Sequence, residues 1–143
     1  MAEYTYNPIQ LVPAGGAVIL NDNIPCNKGY VYHRNESGLV ILRGIVNNPC
    51  GTFARYQVTF NGNIAVPTGG TVGEISVALA IDGEAIPTST ARVTPAAVDE
   101  YFNVTSTAII TVPKGCCFST TVENTSTGEI NVQNANLVIS RIA

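Results

Sequence analysis

The chain has 143 residues, of which 45% are hydrophobic and only 12% are charged, and its formal net charge is −3. Because about 25% charged residues is usual, this composition predicts a single domain whose surface is partly covered by another chain. With 7 Lys and Arg against 10 Asp and Glu, a nucleic-acid partner is not expected. No apolar run reaches the roughly 18 residues of a membrane helix, so no membrane partner is expected either.

The first 16 residues, "MAEYTYNPIQLVPAGG", precede the first predicted strand. They lack the basic and apolar regions of a secretory signal peptide, so we expect synthesis and assembly in a cytoplasm. We interpret residues 1–16 as an N-terminal anchor segment and residues 17–143 as the folded domain.

Turn-forming residues recur at short intervals along the rest of the chain, between runs rich in Val, Ile, Thr, Tyr and Phe. This spacing predicts an all-β sandwich or barrel. The predicted strands are residues 17–20, 29–34, 39–46, 53–65, 72–81, 90–94, 100–112, 117–123, 129–133 and 136–142.

Alternation assigns a face to each strand. In "FARYQVTF" the side chains of Ala54, Tyr56, Val58 and Phe60 fall on one face and are predicted to be core. The runs "LVILRGIV" and "NLVISRIA" are apolar on both faces. In a two-layer sandwich, one face of each sheet is usually exposed to solvent. Strands that are apolar on both faces therefore predict a subunit interface on an outer face.

Four cysteines are too few for a disulfide scaffold. Strand alternation predicts that Cys116 packs inward beside Phe118, whereas Cys117 faces outward or toward Cys26, Cys50 or a neighbouring chain. Three states stay open for these thiols: reduced and packed, paired in a disulfide, or clustered around zinc.

The other reactive side chains fit structural roles better than catalytic ones. His33, in "YVYHRNESG", is the single histidine and is expected at a strand end. Asp82 and Glu84, in "IDGEAI", flank the glycine of a predicted hairpin turn. We therefore predict no catalytic residue, no metal ligand and no cofactor, and the protein is not expected to be an enzyme.

Four segments carry a resemblance: "ARYQVTFNGNIA", "GGTVGEISVALAIDGEAI", "TPAAVDEYFNVTSTAIITVPKGCCFSTTVENTS" and "INVQNANLVISRIA". Together they resemble the trimeric tumour-necrosis-factor-like jelly roll that is also seen in complement globular heads, from about Val18 to Ile142. The resemblance implies a two-sheet sandwich of about ten strands, assembly as a homotrimer, and no catalysis. The candidate trimer-interface residues are Leu39, Ile41, Phe53, Tyr101, Phe102, Leu137 and Ile139.

Similar domains occur at the tips of collagen-like spore-surface proteins and in small phage proteins. Because no Gly-X-Y tract precedes the domain, the resemblance favours a structural protein of a phage particle, a capsid decoration or head-fibre module at the virion surface, assembled in the bacterial host. Its partners would be two further copies and a capsid or other particle lattice protein. The candidate lattice-contact residues are Tyr4, Tyr6, Pro8, Ile9 and Leu11. The alternative is a trimeric head that binds host glycan or another surface on a spore or cell appendage.

Overall fold

The computed structural model describes residues 1–24, 31–33, 37–44 and 51–142 of the chain. Within these ranges it has twelve strands and one short 3-10 helix, Pro87–Ser89. The strands are β1 Ala2–Tyr6, β2 Gln10–Val12, β3 Asp22–Ile24, β4 Val31–His33, β5 Val40–Arg43, β6 Phe53–Ala65, β7 Ile75–Ile81, β8 Glu84–Ala85, β9 Ala91–Val93, β10 Phe102–Pro113, β11 Cys117–Asn124 and β12 Ile130–Arg141.

The strands form two antiparallel sheets. The first sheet has the order β10-β6-β12-β1-β3, and β2 also pairs with β12. Strand β6 is its centre, because it pairs with β10 from Phe53 to Ile64 and with β12 from Tyr56 to Ala65. The second sheet has the order β4-β5-β11-β7-β8, with β9 paired to β7. The predicted all-β architecture is therefore present.

The core lies between the two sheets and follows the predicted alternation. Ala54, Tyr56, Val58 and Phe60 of β6 are all fully buried, as their shared face predicts. The other sheet contributes side chains such as Leu42, Val77, Leu79 and Val122. Aliphatic side chains on both inner faces bury enough apolar surface to hold a domain of this size without metals or cross-links.

The N-terminal residues are part of the sandwich. Strand β1 pairs with β12 from Ala2 to Tyr6, and Ala2 and Tyr4 are buried in the core. Strand β2 pairs with the start of β12. The predicted boundary at residue 16 therefore falls inside a packed structure, because alternate residues of β1, Ala2, Tyr4 and Tyr6, face the core.

Two strand predictions differ from the structure. Residues 17–20 form only isolated bridges, at Ala17 and Leu20, although Val18 and Leu20 are buried. The predicted strands 129–133 and 136–142 are one strand, β12, whose register shifts between Gln133 and Asn136. Asn134 takes a left-handed conformation there (φ 56), which asparagine tolerates better than most residues, so the strand continues through a bulge.

Gly44 lies where the end of β5 meets the turn between β10 and β11. Its N–H donates to the carbonyl oxygen of Cys116 at 2.9 Å. A Cβ atom at this position would stand 2.3 Å from the carbonyl oxygen of Pro113. Only glycine therefore lets the two segments approach this closely.

We expect Gly44→Ala to lower the free energy of unfolding by about 2 kcal/mol, since the new methyl group must displace backbone. Gly73→Ala is the matched control, because a Cβ there meets nothing within 4 Å and the glycine has an ordinary φ. It should change stability by less than about 0.5 kcal/mol. Urea unfolding followed by circular dichroism measures both, and equal stability of the two variants would contradict the close approach.

Candidate functional site

The cysteines do not form a reactive cluster within the described residues. Cys116 and Cys117 are both free and exposed. The prediction that Cys116 packs into the core is wrong, because the turn Pro113–Cys116 ends only at Cys116 and β11 begins at Cys117. Phe118 does pack against the core. Cys26 and Cys50 lie outside the described residues, as does any pairing with them.

His33 is a packed side chain. Its Nε2–H donates to the carbonyl oxygen of Ser37 at 2.7 Å, and its ring lies 4.5 Å from the ring of Tyr4, centroid to centroid. Among the described residues its buried Nδ1 has no hydrogen-bond partner. These contacts connect β4 to β1, and they give the imidazole no hydroxyl or thiol to activate.

The acidic residues of the "IDGE" segment form the predicted hairpin between β7 and β8. Asp82 and Gly83 both have positive φ, as a tight two-residue hairpin requires. One Asp82 oxygen accepts hydrogen bonds from the N–H and the hydroxyl of Ser119, each at 2.9 Å. The carboxylate therefore fixes the hairpin against β11. Across the described residues, no group of three or more His, Cys, Asp or Glu is placed to hold a metal ion.

The outer face of the first sheet has a distinctive composition. Its outward-facing side chains on β1, β6, β10 and β12 are mostly threonine and asparagine, and Glu3 and Arg55 are the two charged ones among those described. The aliphatic side chains here are Ile109, which is 61% exposed, and the half-buried Val138. Phe53, at the start of β6, is partly exposed and lies beneath the guanidinium of Arg55.

Polar side chains on this face bond to one another across the strands. Thr59 and Thr107 share a hydrogen bond of 3.0 Å between β6 and β10. Thr105 donates to Asn61 Oδ1 at 3.2 Å. Asn136 donates to a carboxylate oxygen of Glu3 at 2.9 Å, which links β12 to β1. Much of the hydrogen-bonding capacity of the face is therefore satisfied within the sheet.

Four asparagines form a line across the sheet, which we call the amide chain: Asn103, Asn63, Asn134 and Asn7. Asn103 Nδ2 donates to Asn63 Oδ1 at 3.2 Å, and Asn63 Nδ2 donates to Asn134 Oδ1 at 3.1 Å. Asn134 Nδ2 in turn donates to Asn7 Oδ1. The amide chain thus crosses β10, β6 and β12 and ends just beyond β1, with every bond donated in the same direction.

The predicted trimer-interface residues do not share one surface. Leu137 and Ile139 are fully buried and face the core, because the outward side of β12 carries Val138 instead. Leu39 and Ile41 point out from the second sheet, where with Tyr32 and Ser37 they line a shallow depression of about 250 Å³. From this predicted set, Phe53 lies on the outer face of the first sheet.

Tyr101 and Phe102, also predicted at the interface, are half-buried at the start of β10. Phe102 has the same parity as Val104 and Ile110, whose side chains are buried, so it points toward the core side of the strand. Sequence reasoning did not select Ile109. The dipeptide Ile109–Ile110 contained the signal, because adjacent strand residues face opposite sides and one of the two must therefore point outward.

The predicted lattice-contact residues are also divided. Tyr4 is buried in the core and Tyr6 packs against it. Pro8, Ile9 and Leu11 are exposed, and Ile9 and Leu11 each present just over half of their surface to solvent. The exposed apolar residues of this predicted set therefore lie in the short segment 7–11, which connects β1 to β2 and includes the first two residues of β2.

A cleft of about 410 Å³ opens at the end of the sandwich opposite both chain termini. The loop of residues 66–71 and the loop of residues 126–129 line it, together with Glu74 and Ile75. Glu74 lies 3.9 Å from Arg92 across the surface. The cleft presents hydroxyl, carboxylate and backbone groups, which suit hydrogen bonding to a polar ligand.

Asn124 holds the loop at this end. Its Nδ2 donates to the carbonyl oxygens of Val12, Pro13 and Gly128 at 2.9–3.2 Å, and its Oδ1 accepts from the N–H of Ser126 at 2.9 Å. The residue is fully buried. Residues 124–126, Asn-Thr-Ser, match the acceptor pattern for N-glycosylation, but the buried amide of Asn124 is engaged in these structural contacts.

Comparisons with known proteins identify the fold. No protein-family model and no curated protein matches the chain. Among solved structures, the globular domain of zebrafish complement 1qA protein matches with a TM-score of 0.58 and 12% sequence identity, covering 96% of this chain and 94% of that chain. The predicted fold, a two-sheet jelly roll of the tumour-necrosis-factor-like type, is confirmed. Among the described residues, no helix has the length and apolar character to cross a bilayer.

We expect Asn124→Asp to lower the free energy of unfolding at neutral pH by about 3 kcal/mol, because the buried carboxylate oxygen that replaces Nδ2 would face three carbonyl oxygens. Asn131→Asp is the control, since that half-buried side chain makes no such contacts. Its effect should stay below about 1 kcal/mol. Thermal unfolding of both variants measures the difference, and a stable Asn124→Asp protein would contradict the described role.

Proposed function

We propose that this protein is a non-catalytic structural module that assembles as a homotrimer through the outer face of its first sheet. We further propose that the trimer is a component of a phage particle, as a capsid decoration or head-fibre module at the virion surface. The observation that carries the proposal is the outer face formed by β10 and its neighbours, which has only two charged side chains, Glu3 and Arg55, among the described residues. The jelly-roll fold shared with a complement globular domain supports it.

Strand β10 is the main argument for a covered surface. It lies at one end of the first sheet, is 12 residues long and contains no charged residue. Proteins usually protect edge strands of this length with charges, proline or bulges, because unpaired backbone groups invite association. An edge without charges is best explained by a second copy that covers it.

The side chains of the outer face support the same conclusion. Burying a polar group costs free energy unless it keeps a hydrogen bond. On this face many threonine and asparagine side chains already bond to one another, so covering them breaks few bonds to water. Exposed Ile109 adds apolar area that burial would stabilise.

We expect the wild-type protein to sediment as a species of three 15.0 kDa chains. Ile109→Lys should dissociate this species, because burying an unpaired ammonium group in the interface costs about 3 kcal/mol per subunit. Val72→Lys is the control, since Val72 is also an exposed apolar residue but lies in the loop before β7. Analytical ultracentrifugation of all three proteins decides, and a trimeric Ile109→Lys variant would place the interface elsewhere.

The particle role rests on the sequence resemblance to small phage proteins and on the exposed segment 7–11. Pro8, Ile9 and Leu11 offer apolar surface on a short connection between two strands. Three copies of this segment in a trimer would bind a repetitive lattice more strongly than one copy, because the second and third contacts become intramolecular.

The direct test is a protein inventory of purified particles from a phage that encodes this chain. We expect the protein in intact, DNA-filled particles at a constant ratio to the main capsid protein. Particles assembled with the Ile9→Asp, Leu11→Asp double variant should lose it, whereas particles with Val72→Lys should retain it. Absence of the wild-type protein from washed particles would reject the particle role and leave the trimer unaffected.

The second candidate function is a trimeric head that binds host glycan or another surface. The cleft between the loops 66–71 and 126–129 favours it, because hydroxyl, carboxylate and backbone groups there suit a polyhydroxyl ligand. A glycan array probed with the wild-type protein and with Thr127→Arg, which would fill the cleft, separates the two functions. Binding that Thr127→Arg abolishes would favour the head over the purely structural module.

A further inference from the structure

We propose that the amide chain continues from each subunit into the next and closes as one ring of hydrogen bonds through all three copies. At each junction, Asn7 Nδ2 of one subunit would donate to Asn103 Oδ1 of the next. This inference rests on the proposed homotrimer and specifies which residues join its subunits. Among the described residues, the oxygen of Asn103 accepts no hydrogen bond and the nitrogen of Asn7 donates none. A second copy can therefore extend the amide chain at either end.

The two ends are visible in the hydrogen bonds of a single chain. Asn103 Nδ2 donates to Asn61 Oδ1 at 2.9 Å and to Asn63 Oδ1 at 3.2 Å, while its own Oδ1 accepts no hydrogen bond from the described residues. At the other end, Asn7 Oδ1 accepts from Asn134, while Asn7 Nδ2 donates to none of the described residues. Each terminal amide therefore has one group without a partner among the described residues, the oxygen of Asn103 and the nitrogen of Asn7.

A backbone contact favours one direction for the amide chain. Asn103 Nδ2 also lies 3.4 Å from the carbonyl oxygen of Gly62, which can only accept. This contact favours the orientation in which the nitrogen of Asn103 faces β6 and its oxygen faces away from β6. Asn63 and Asn134 have the same direction, because each accepts a hydrogen bond with its oxygen and donates one with its nitrogen to the next asparagine.

This direction constrains how two copies can meet. The unused acceptor at Asn103 and the unused donor at Asn7 can bond to each other, so the amide chain joins two copies only where these different ends meet. In a ring, the two different ends meet, and the ring closes when the rotation allows it. A directed chain of amides therefore fits the cyclic homotrimer proposed above.

The ends of the amide chain cannot meet within one subunit. Asn103 lies on β10 and Asn7 lies just beyond β1, with β6 and β12 between them. Three strand spacings separate β10 from β1, which is about 14 Å at the usual distance between neighbouring strands. Any direct energetic coupling between Asn7 and Asn103 must therefore cross from one subunit to another.

A double-mutant cycle on trimer dissociation tests this junction. Wild type, Asn7→Ala, Asn103→Ala and the double variant are compared by sedimentation over a range of concentrations. Each single variant should weaken trimer association about fivefold or more. The double variant should associate as strongly as the more strongly affected single variant, because either substitution already removes the same junction. The control cycle pairs Asn7→Ala with Gln57→Ala on the same face, outside the amide chain, and its effects should multiply.

The outcomes separate this inference from the proposed function. A trimer in which the effects of Asn7→Ala and Asn103→Ala simply multiply would overturn the ring and leave the trimer standing. A wild-type monomer or dimer would overturn both. Coupling that persists in the thermal unfolding of a monomeric Ile109→Lys background would show that it is transmitted within one chain, which also overturns the ring.

Discussion

The pairing of β6 with β10 on one side and β12 on the other is the constraint on which the rest of this structure depends. Twelve consecutive residues of β6 have partners in β10. Residues directly opposite each other in antiparallel strands share a face, so one register sets the position of every side chain on all three strands. Slipping it by one residue would expose Tyr56, Val58 and Phe60 and bury the asparagines.

The same register produces the outer face. Outward positions on β6 and β10 bring Asn61, Asn63 and Asn103 together, and the bulge in β12 adds Asn134 to the line. The bulge matters because it places an asparagine with a left-handed backbone next to Asn7. The core and the proposed interface are thus two sides of one sheet, and neither can change register without the other.

Polar side chains elsewhere in the described structure hold segments of backbone in place. Asp82 fastens a hairpin to β11, Asn124 joins two loops at one end of the sandwich, and His33 connects β4 with β1 through Ser37 and Tyr4. These three side chains each contact backbone or neighbouring side chains, so their polar groups serve to connect segments of the fold.

The sequence by itself determined the all-β class, the limits of the long strand β6, the position of β10 to within two residues at each end, and the inward face of β6, because period-two alternation and turn residues are local signals. It did not place β1 in the first sheet, since the partners of β1 in β12 lie about 130 positions away along the chain. It also took the wrong face of β12, where both sides are apolar and alternation alone cannot choose. Only the tertiary structure revealed the amide chain, because asparagines on separate strands become neighbours through strand register and a bulge. The hydrogen bonds between them depend on distances between strands, which no local sequence pattern contains.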